Sequence, residues 1–225
     1  MREIQISIEE YYHVYNRGAH KTITFHDKAD YIRFLFLILF FQSPVTFGQV
    51  SRSVHYFVKH SVFDIDKEDE LEIIKRRYVK LVSFCLMPNH FHLILQEKEE
   101  SGIARYMQRI LNSYTKYYNT KYQSSGHLFQ GPYKAVHVED NEQLLYLSSY
   151  VHRNPRELPN WKNREQKYEW SSYQDSVNIN RWDKLLSTEI ILEQFKTKKE
   201  YDEFVRTSSA KMSDREIESE LNDAR

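Results

Sequence analysis

The sequence predicts an α+β protein in which a four- to five-stranded antiparallel sheet carries helices mainly on one face. Two observations predict this class. The elements follow the order strand, helix, strand, strand, helix, strand, helix, and a Pro88-Asn89 turn separates two apolar runs. The 225 residues are 40% hydrophobic and 15% aromatic, which is enough to bury a core.

Four stretches of the chain supply the predicted strands. Residues Tyr11–Arg17 are rich in side chains that favour strands. The runs Tyr78–Met87 and His90–Gln96 flank the Pro88-Asn89 turn, which is the pattern of a β-hairpin. Residues Tyr133–Val138 alternate in polarity and are predicted to form a further strand.

Capping residues mark the predicted helices. Asp27 is a plausible N-cap for a helix over about residues 28–41, and Ser101 for one that reaches about residue 122. The pair Asp140 and Gln143 resembles a capping box, and its helix ends at Asn154-Pro155 because proline cannot continue it. Residues 42–48 are predicted to form a loop, and the charged tail after Ser208 is predicted to be frayed or a loose helix. Further helical pieces are predicted within Gln49–Arg77, Trp170–Tyr173 and Thr188–Arg206.

The charge is balanced overall but unevenly distributed. Lys and Arg number 32, as do Asp and Glu, so the formal net charge is zero. An acidic segment at residues 64–72 and the charged tail after residue 208 have no role that the sequence reveals. Residues 101–138 contain no acid, so they form either a nucleic-acid footprint or a solvated helix face. The cations of this segment are Arg105, Arg109, Lys116, Lys121 and Lys134.

The cysteine content and the amino terminus predict a cytoplasmic protein. Cys85 is the single cysteine, so no disulfide can form within the chain. The first ten residues are polar, and the most apolar helical stretch, Tyr31–Phe41, is too short to span a bilayer. We therefore expect no membrane association.

His90 and His92 are the first candidates for chemistry. Alternate side chains of a strand share a face, so the two imidazoles lie side by side at the start of the second hairpin strand. Together they could bind a divalent cation, or a phosphate when protonated. On spacing alone, two core histidines without function remain possible, and His127, His137 and His152 remain rival ligands.

A second group of candidates follows Asp140. Tyr146, Tyr150 and Asn154 lie four residues apart and form one stripe of a helix. Tyrosine can act as a nucleophile, although an ordinary phenol pKa of about 10 means that it needs a cation or a base. Two histidines and an amide oxygen suit Mg²⁺ or Mn²⁺ better than a closed zinc site. Rival tyrosines lie in the preceding helix at positions 114, 117 and 118.

The segment Met87–Leu95 resembles the HUH motif of single-tyrosine transposases, in which two histidines flank a bulky apolar residue. The resemblance is closer to the REP-associated tyrosine transposases (RAYT proteins) and extends over about residues 11–174. Its further blocks are Tyr12–Gly18, Met107–Asn119, Gly126–Lys134, Tyr150–Pro155 and Trp170–Tyr173.

This resemblance implies a fold and a set of site residues. The expected fold is a ferredoxin-like or RRM-like palm, with a catalytic domain at residues 1–180 and a helical extension at 181–225. The resemblance implies that His90 and His92 bind the catalytic metal and that Asn154 is the third ligand. Tyr150 falls at the position of the nucleophile, and Tyr114 and its neighbours are then packing residues or DNA contacts.

The resemblance also implies an activity and a partner. The chain would be a Mg²⁺- or Mn²⁺-dependent endonuclease and strand transferase that nicks and rejoins single-stranded or hairpin DNA through a 5′-phosphotyrosine. We expect Arg17 and the five cations of residues 101–138 to contact this DNA, which could be repeated palindromes, and the protein to associate with the nucleoid as a monomer or homodimer. Two alternatives stay open: a domesticated protein that binds hairpins without cleavage, and a hydrolase with a water nucleophile.

Overall fold

A computed structural model describes residues 6–45 and 50–208 of the chain. The predicted α+β class is confirmed, with four antiparallel strands in the order β2-β3-β1-β4. The hairpin strand β3 lies between β1 and β2, as in a split βαβ unit. The strands are β1 (Tyr11–Arg17), β2 (Val79–Met87), β3 (His90–Glu97) and β4 (Lys134–Val138).

Eight α-helices accompany these strands in the described ranges. They are α1 (Lys28–Phe40), α2 (Val50–His60), α3 (Lys67–Arg76), α4 (Gly102–Tyr122), α5 (Asn141–Arg153), α6 (Tyr173–Val177), α7 (Glu189–Leu192) and α8 (Lys198–Thr207). The acidic segment includes the first turn of α3, where the positive end of the helix dipole stabilises carboxylates. The predicted loop at residues 42–48 lies partly outside the described residues, and the predicted frayed tail lies outside them beyond Ser208.

Helices cover both faces of the sheet, so the expectation of helices mainly on one face is wrong. One face packs on α1 and α4 and contributes Phe91 and Leu93 to an aromatic core. The other face packs on α5 and α8 and contributes Val82 and Ile94. The reason is that β2 and β3 are buried at nearly every position, and a sheet that is apolar on both faces needs cover on both.

Two of the three predicted helix caps are confirmed. The Asp27 side chain accepts from the backbone of Asp30, and the Asp140 side chain from that of Gln143. The prediction of Ser101 as a cap is wrong, because its backbone is left-handed (φ 59°) and its side chain makes no capping bond. The carboxylate of Glu97 instead accepts from the first two backbone N–H groups of α4, each at 2.7 Å. The strand therefore fixes the start of α4.

Residues after position 180 pack against the rest of the chain. Trp182 and Leu185 are fully buried in the α1 side of the core, and Tyr201 and Val205 of α8 are buried against α5. The division of the chain at residue 180 stays a prediction. Within the described ranges, no helix has the length and apolarity needed to cross a membrane.

Candidate active site

The pairing of β1 with β3 brings five chemically active side chains to one sheet face. Arg17 lies opposite His90, Tyr15 opposite His92, and His13 opposite Ile94. Residues directly opposite each other in an antiparallel pair project from the same face. The alternation of each strand therefore places His13, Tyr15, Arg17, His90 and His92 together on the face that α5 covers.

Helix α5 and the residue that caps its end, Asn154, add the two remaining predicted residues. The ring of Tyr150 meets the ring of His92 edge-on, with centroids 5.4 Å apart and planes at 87°. One turn later, Oδ1 of Asn154 lies 3.0 Å from Nε2 of His90. The structure thus brings His90, His92, Tyr150 and Asn154 together within a single chain.

Asn89 and Asn154 contact the two ring nitrogens of His90. Nδ1 lies 2.7 Å from Oδ1 of Asn89, and Nε2 lies 3.0 Å from Oδ1 of Asn154. The Asn89 amide is oriented by its own Nδ2, which donates to the carbonyl of Lys21. In the neutral ring, Nδ1–H then donates to Asn89, and the lone pair of Nε2 faces Oδ1 of Asn154.

The turn that carries Asn89 is fastened by the loop after β1. The backbone carbonyl of Asn89 accepts from the N–H of Gly18 at 2.8 Å, and that of Pro88 accepts from Thr24 at 2.8 Å. A Cβ at Gly18 would lie 2.1 Å from the carbonyl oxygen of Thr22, so only glycine permits this close approach. The loop therefore holds the entrance of β3 in place.

His92 is held by a histidine of the neighbouring strand. Its Nδ1 lies 2.9 Å from Nε2 of His13. Both side chains are buried, with 3% and 2% of their surface exposed. His92 is therefore oriented by a buried group, just as His90 is oriented by Asn89.

Burial keeps these histidines neutral at physiological pH. It lowers the pKa of His13 to about 3 and that of His90 to about 4. It also lowers the pKa of His92 well below the ordinary value, and the nearby His13, His90 and Arg17 lower it further. A neutral imidazole can bind a metal ion, whereas an imidazolium cannot.

The side chains present fit a divalent cation. The Nε2 lone pair of His90 and Oδ1 of Asn154 converge, and Nδ2 of Asn154 is buried without a hydrogen-bond partner. Turning this amide over would let Nδ2 donate to Nε2, so the pair is satisfied by that hydrogen bond or by a cation. Among the described residues no three His, Cys, Asp or Glu side chains form a metal group, so such a site depends on the amide.

The rival tyrosines and histidines lie elsewhere in the described structure. Tyr114 is buried in the core on the other side of the sheet, and its hydroxyl donates to the carbonyl of Thr24 at 2.7 Å. His152 is enclosed by the hydroxyls of Ser83, Ser172 and Tyr201. The remaining rivals also have other surroundings: Tyr117 bonds to Asp30, Tyr118 to His26, and His137 to Glu10, while His127 lines a surface cleft.

Three cations that the sequence predicted as DNA contacts, Arg105, Arg109 and Lys121, bind or stack on other side chains of the protein. Arg105 pairs with Glu99 at 3.0 Å, and Lys121 pairs with Asp27 and the fully buried Asp30 at 2.8 and 2.7 Å. Arg109 donates to Tyr78 at 2.8 Å and stacks on Phe41. These contacts fasten α4 to its neighbours, and a DNA role for the three stays a prediction.

The other three predicted cations lie closer to the histidines or line a cleft. Arg17 is opposite His90, and its Nε is buried without a hydrogen-bond partner. Lys134 is opposite Tyr15 and so lies on the same face. Lys116 lines a cleft of about 650 Å³ between α4 and residues 127–132.

Sequence reasoning missed His13 and Asn89. A usable signal for His13 was the alternation of His13, Tyr15 and Arg17, which repeats the two-residue spacing of His90 and His92. Asn89 gave no such signal, because its contact with His90 depends on the conformation of the turn.

Comparison with known proteins connects this site to a family. A family model described as IS200-like transposase matches residues 57–154, which include His90, His92, Tyr150 and Asn154. No curated protein sequence matches the chain significantly. A solved structure of a REP-associated tyrosine transposase bound to a REP hairpin is similar with a TM-score of 0.50 and 11% identity, over 79% of this chain and 84% of that one. At that identity the likeness concerns the fold. The chain is thus similar to the IS200-like transposases over the segment that carries all four predicted residues, and the resemblance predicted from its motifs is confirmed.

Proposed function

We propose that this protein cuts and rejoins one strand of hairpin or single-stranded DNA through a covalent bond to Tyr150. The observation that carries the proposal is the meeting of Tyr150 with His92, and of Asn154 with His90, on one sheet face. The family match and the hairpin bound by the similar structure support the choice of substrate.

The reaction exchanges one phosphate ester for another. The phenolic oxygen of Tyr150 attacks the phosphorus in line, forms an O–P bond and loses its proton to solvent. The bond from phosphorus to the 3′ oxygen breaks, and this oxygen leaves as a hydroxyl. The 5′ phosphate stays linked to Tyr150 until a 3′ hydroxyl attacks it, so the reaction needs no nucleotide cofactor.

His90, His92 and Asn154 would hold Mg²⁺ or Mn²⁺ beside this tyrosine. The bound cation would supply Lewis-acid stabilisation of the charge that develops on the phosphate. The neutral donor set leaves the full positive charge of the cation available to the phosphate. Asn89 and the loop after β1 keep His90 oriented while DNA enters.

Arg17 is the cation best placed to contact the phosphate backbone. It lies opposite His90 on the site face, and its buried Nε lacks a hydrogen-bond partner. A phosphate oxygen would satisfy this donor. Lys134 on the same face and Lys116 in the cleft beside α4 would extend the contact along the strand.

A gel assay of Tyr150→Phe tests the proposal. Wild-type protein, a labelled hairpin with single-stranded flanks and Mn²⁺ are expected to give a protein–DNA adduct that survives denaturation. Tyr150→Phe is expected to lose the adduct and to lower the cleavage rate by at least about 10³-fold, because the nucleophile is gone, while hairpin affinity stays within about threefold. The matched control is Tyr146→Phe, which alters the exposed tyrosine one turn earlier in α5.

The same gel separates the alternatives. Cleavage without an adduct would indicate a water nucleophile, and an adduct in Tyr150→Phe would overturn the assignment of the nucleophile. Hairpin binding without cleavage by wild-type protein under any divalent cation would indicate a protein that only binds DNA.

A further inference from the structure

His13 lies outside the segment that matches the family model, yet it contacts a predicted ligand. The centroids of the His13 and His92 rings are 5.1 Å apart and their planes differ by 15°. The nearest nitrogens, Nε2 of His13 and Nδ1 of His92, are only 2.9 Å apart. The rings therefore meet edge to edge in almost one plane, where an N–H of one points at the lone pair of the other.

The direction of this hydrogen bond decides what His92 can do. Two neutral imidazoles that share one contact must place one proton between them. If Nδ1 of His92 carries the proton, its Nε2 keeps a free lone pair. If Nε2 of His13 carries it, Nε2 of His92 is protonated and cannot bind a cation.

We propose that His13 is a positioning residue, which accepts the hydrogen bond from Nδ1–H of His92 and holds the Nε2 lone pair of His92 toward the divalent cation. This inference rests on the proposed function, because it concerns a ligand of the proposed cation. It gives His13 no direct contact with cation or DNA. Metal-binding histidines commonly need such a partner on the second ring nitrogen to fix the tautomer.

The environment of His90 supports this direction. There Nδ1 meets an amide oxygen that can only accept, because the Asn89 amide is fixed by its bond to Lys21. His90 is thereby left with Nε2 toward Asn154. With His13 as acceptor, both histidines present Nε2 and both are oriented through Nδ1.

Packing supports the same role and argues against His13 as a third ligand. The ring of His13 contacts Tyr15 on its own strand and Tyr150 on α5, with centroids 4.8 and 6.1 Å apart. Its Nε2 faces His92 Nδ1, and the described residues contain no cluster of three histidines or carboxylates that could hold an ion. His13 is thus fixed by the two elements that build the site.

The test uses the full chain, Mn²⁺ alone as the probe, and two substitutions of His13. His13→Phe keeps a ring but cannot accept a hydrogen bond, whereas His13→Gln retains an acceptor oxygen. We expect calorimetry to show Mn²⁺ affinity about 10- to 100-fold weaker in His13→Phe, with unchanged stoichiometry, and partial recovery in His13→Gln. The matched control, His137→Phe, alters the half-exposed histidine of β4 and is expected to bind Mn²⁺ like wild type.

A second measurement uses only wild-type protein, so it does not depend on whether a variant folds. In metal-free wild-type protein, ¹⁵N NMR of the imidazoles is expected to show His92 protonated on Nδ1 and unprotonated on Nε2. The opposite tautomer, or unchanged Mn²⁺ affinity in a folded His13→Phe, would overturn the role of His13 alone. Absence of Mn²⁺ binding by wild-type protein would instead overturn the cation site of the proposed function, and the role of His13 with it.

Discussion

The same strands present an apolar face toward α1 and α4 and a face with hydrogen-bonded polar side chains toward α5. On the face toward α1 and α4, Phe91 packs against Phe34 with ring centroids 4.9 Å apart, and Phe34 packs against Tyr114 at 5.1 Å. On the face toward α5, the neighbours of Phe91 in sequence are His90 and His92, and each makes hydrogen bonds. One residue of strand separates an aromatic core from a reactive cluster.

This difference shows what burial demands of each face. The aromatic face is stabilised by apolar area and close packing, which need no partner of defined direction. The histidine face places polar rings out of water, and each must find a partner or lose free energy. Each side chain of a buried polar cluster therefore needs a specific hydrogen-bond partner, which fixes its orientation. A catalytic site needs side chains fixed in the same way.

The α5 face contains a second polar cluster with no predicted catalytic role. Nε2 of His152 contacts the hydroxyls of Ser83 and Ser172 at 3.0 and 2.9 Å, and Nδ1 contacts the hydroxyl of Tyr201 at 2.7 Å. His152 lies between Tyr150 and Asn154 in the sequence. These bonds fix α5 against β2 and α8, and so they fix the helix that carries the proposed nucleophile.

The largest expected effect is the difference in stability between alanine substitutions of two adjacent residues of β3, Phe91 and His90, whose side chains lie on opposite faces. Phe91→Ala should lower the free energy of unfolding by about 3–5 kcal/mol, because it opens a cavity in the aromatic core. That change corresponds to a loss of roughly 6–20 °C in Tm for a chain of this size. Differential scanning calorimetry in EDTA measures it.

His90→Ala is the matched control for that measurement. His90 begins the strand and is less buried than Phe91. We therefore expect a smaller loss in the free energy of unfolding, of about 1–2 kcal/mol, from the polar groups of Asn89 and Asn154 that lose their partner. Mn²⁺ binding should nevertheless be lost. Equal destabilisation by the two substitutions would contradict the division of roles between the faces.

Acid is expected to destabilise the protein mainly through the α5 face. Burial lowers the pKa of His152 to about 3, while its pKa in the unfolded chain is about 6.5. Below pH 6.5 His152 is protonated in the unfolded chain but stays neutral in the folded chain. Stability contributed by neutral His152 is therefore complete above pH 6.5 and falls by up to about 1.4 kcal/mol per pH unit toward pH 3.

Denaturant unfolding of metal-free protein between pH 7 and pH 5 tests this dependence. His152→Phe should be less stable at pH 7, because it leaves the hydroxyls of Ser83 and Tyr201 without a ring nitrogen. Its stability should fall less steeply with acid than that of wild type. An identical slope in the two proteins would show that His152 does not control acid stability.

The smallest expected effect distinguishes two cations on opposite sides of the sheet. Arg17→Ala should reduce the slope of log affinity against log salt for a hairpin by about one unit, because one phosphate contact is lost. Lys121→Met should leave that slope unchanged, since Lys121 already pairs with Asp27 and Asp30. Fluorescence anisotropy across a salt series measures both slopes, and a larger change for Lys121→Met would reverse the assignment.

Much of the fold could be predicted because its signals are local. The hairpin around Pro88-Asn89 and the caps at Asp27 and Asp140 depend on residues close in sequence, and all three are observed. The cap of α4 could not be predicted in this way. Its carboxylate comes from Glu97 at the end of β3, and only the path of the chain between strand and helix brings it there.

The charge pattern of the sequence shows where the cations lie along the chain but not which of them are free to contact DNA. Residues 101–138 contain five cations and no acid, which indicated a positive surface. In the folded chain Lys121 contacts two carboxylates that precede it by more than 90 positions, and Arg105 contacts Glu99. The ion pairs of Lys121 join distant parts of the chain, and such long-range pairs have no periodic signature in a sequence.

The sequence by itself determined the strand alternation that puts His90 and His92 on one face, the helical spacing that aligns Tyr150 with Asn154, and the motif blocks shared with a transposase family. These are properties of neighbouring residues and their periodicity. Only the tertiary structure decided that the helix meets the histidine face, that His13 and Asn89 orient the two imidazoles, and that Arg17 lies opposite His90. The reason is physical: contacts across strands and layers depend on register and packing, which no local spacing encodes.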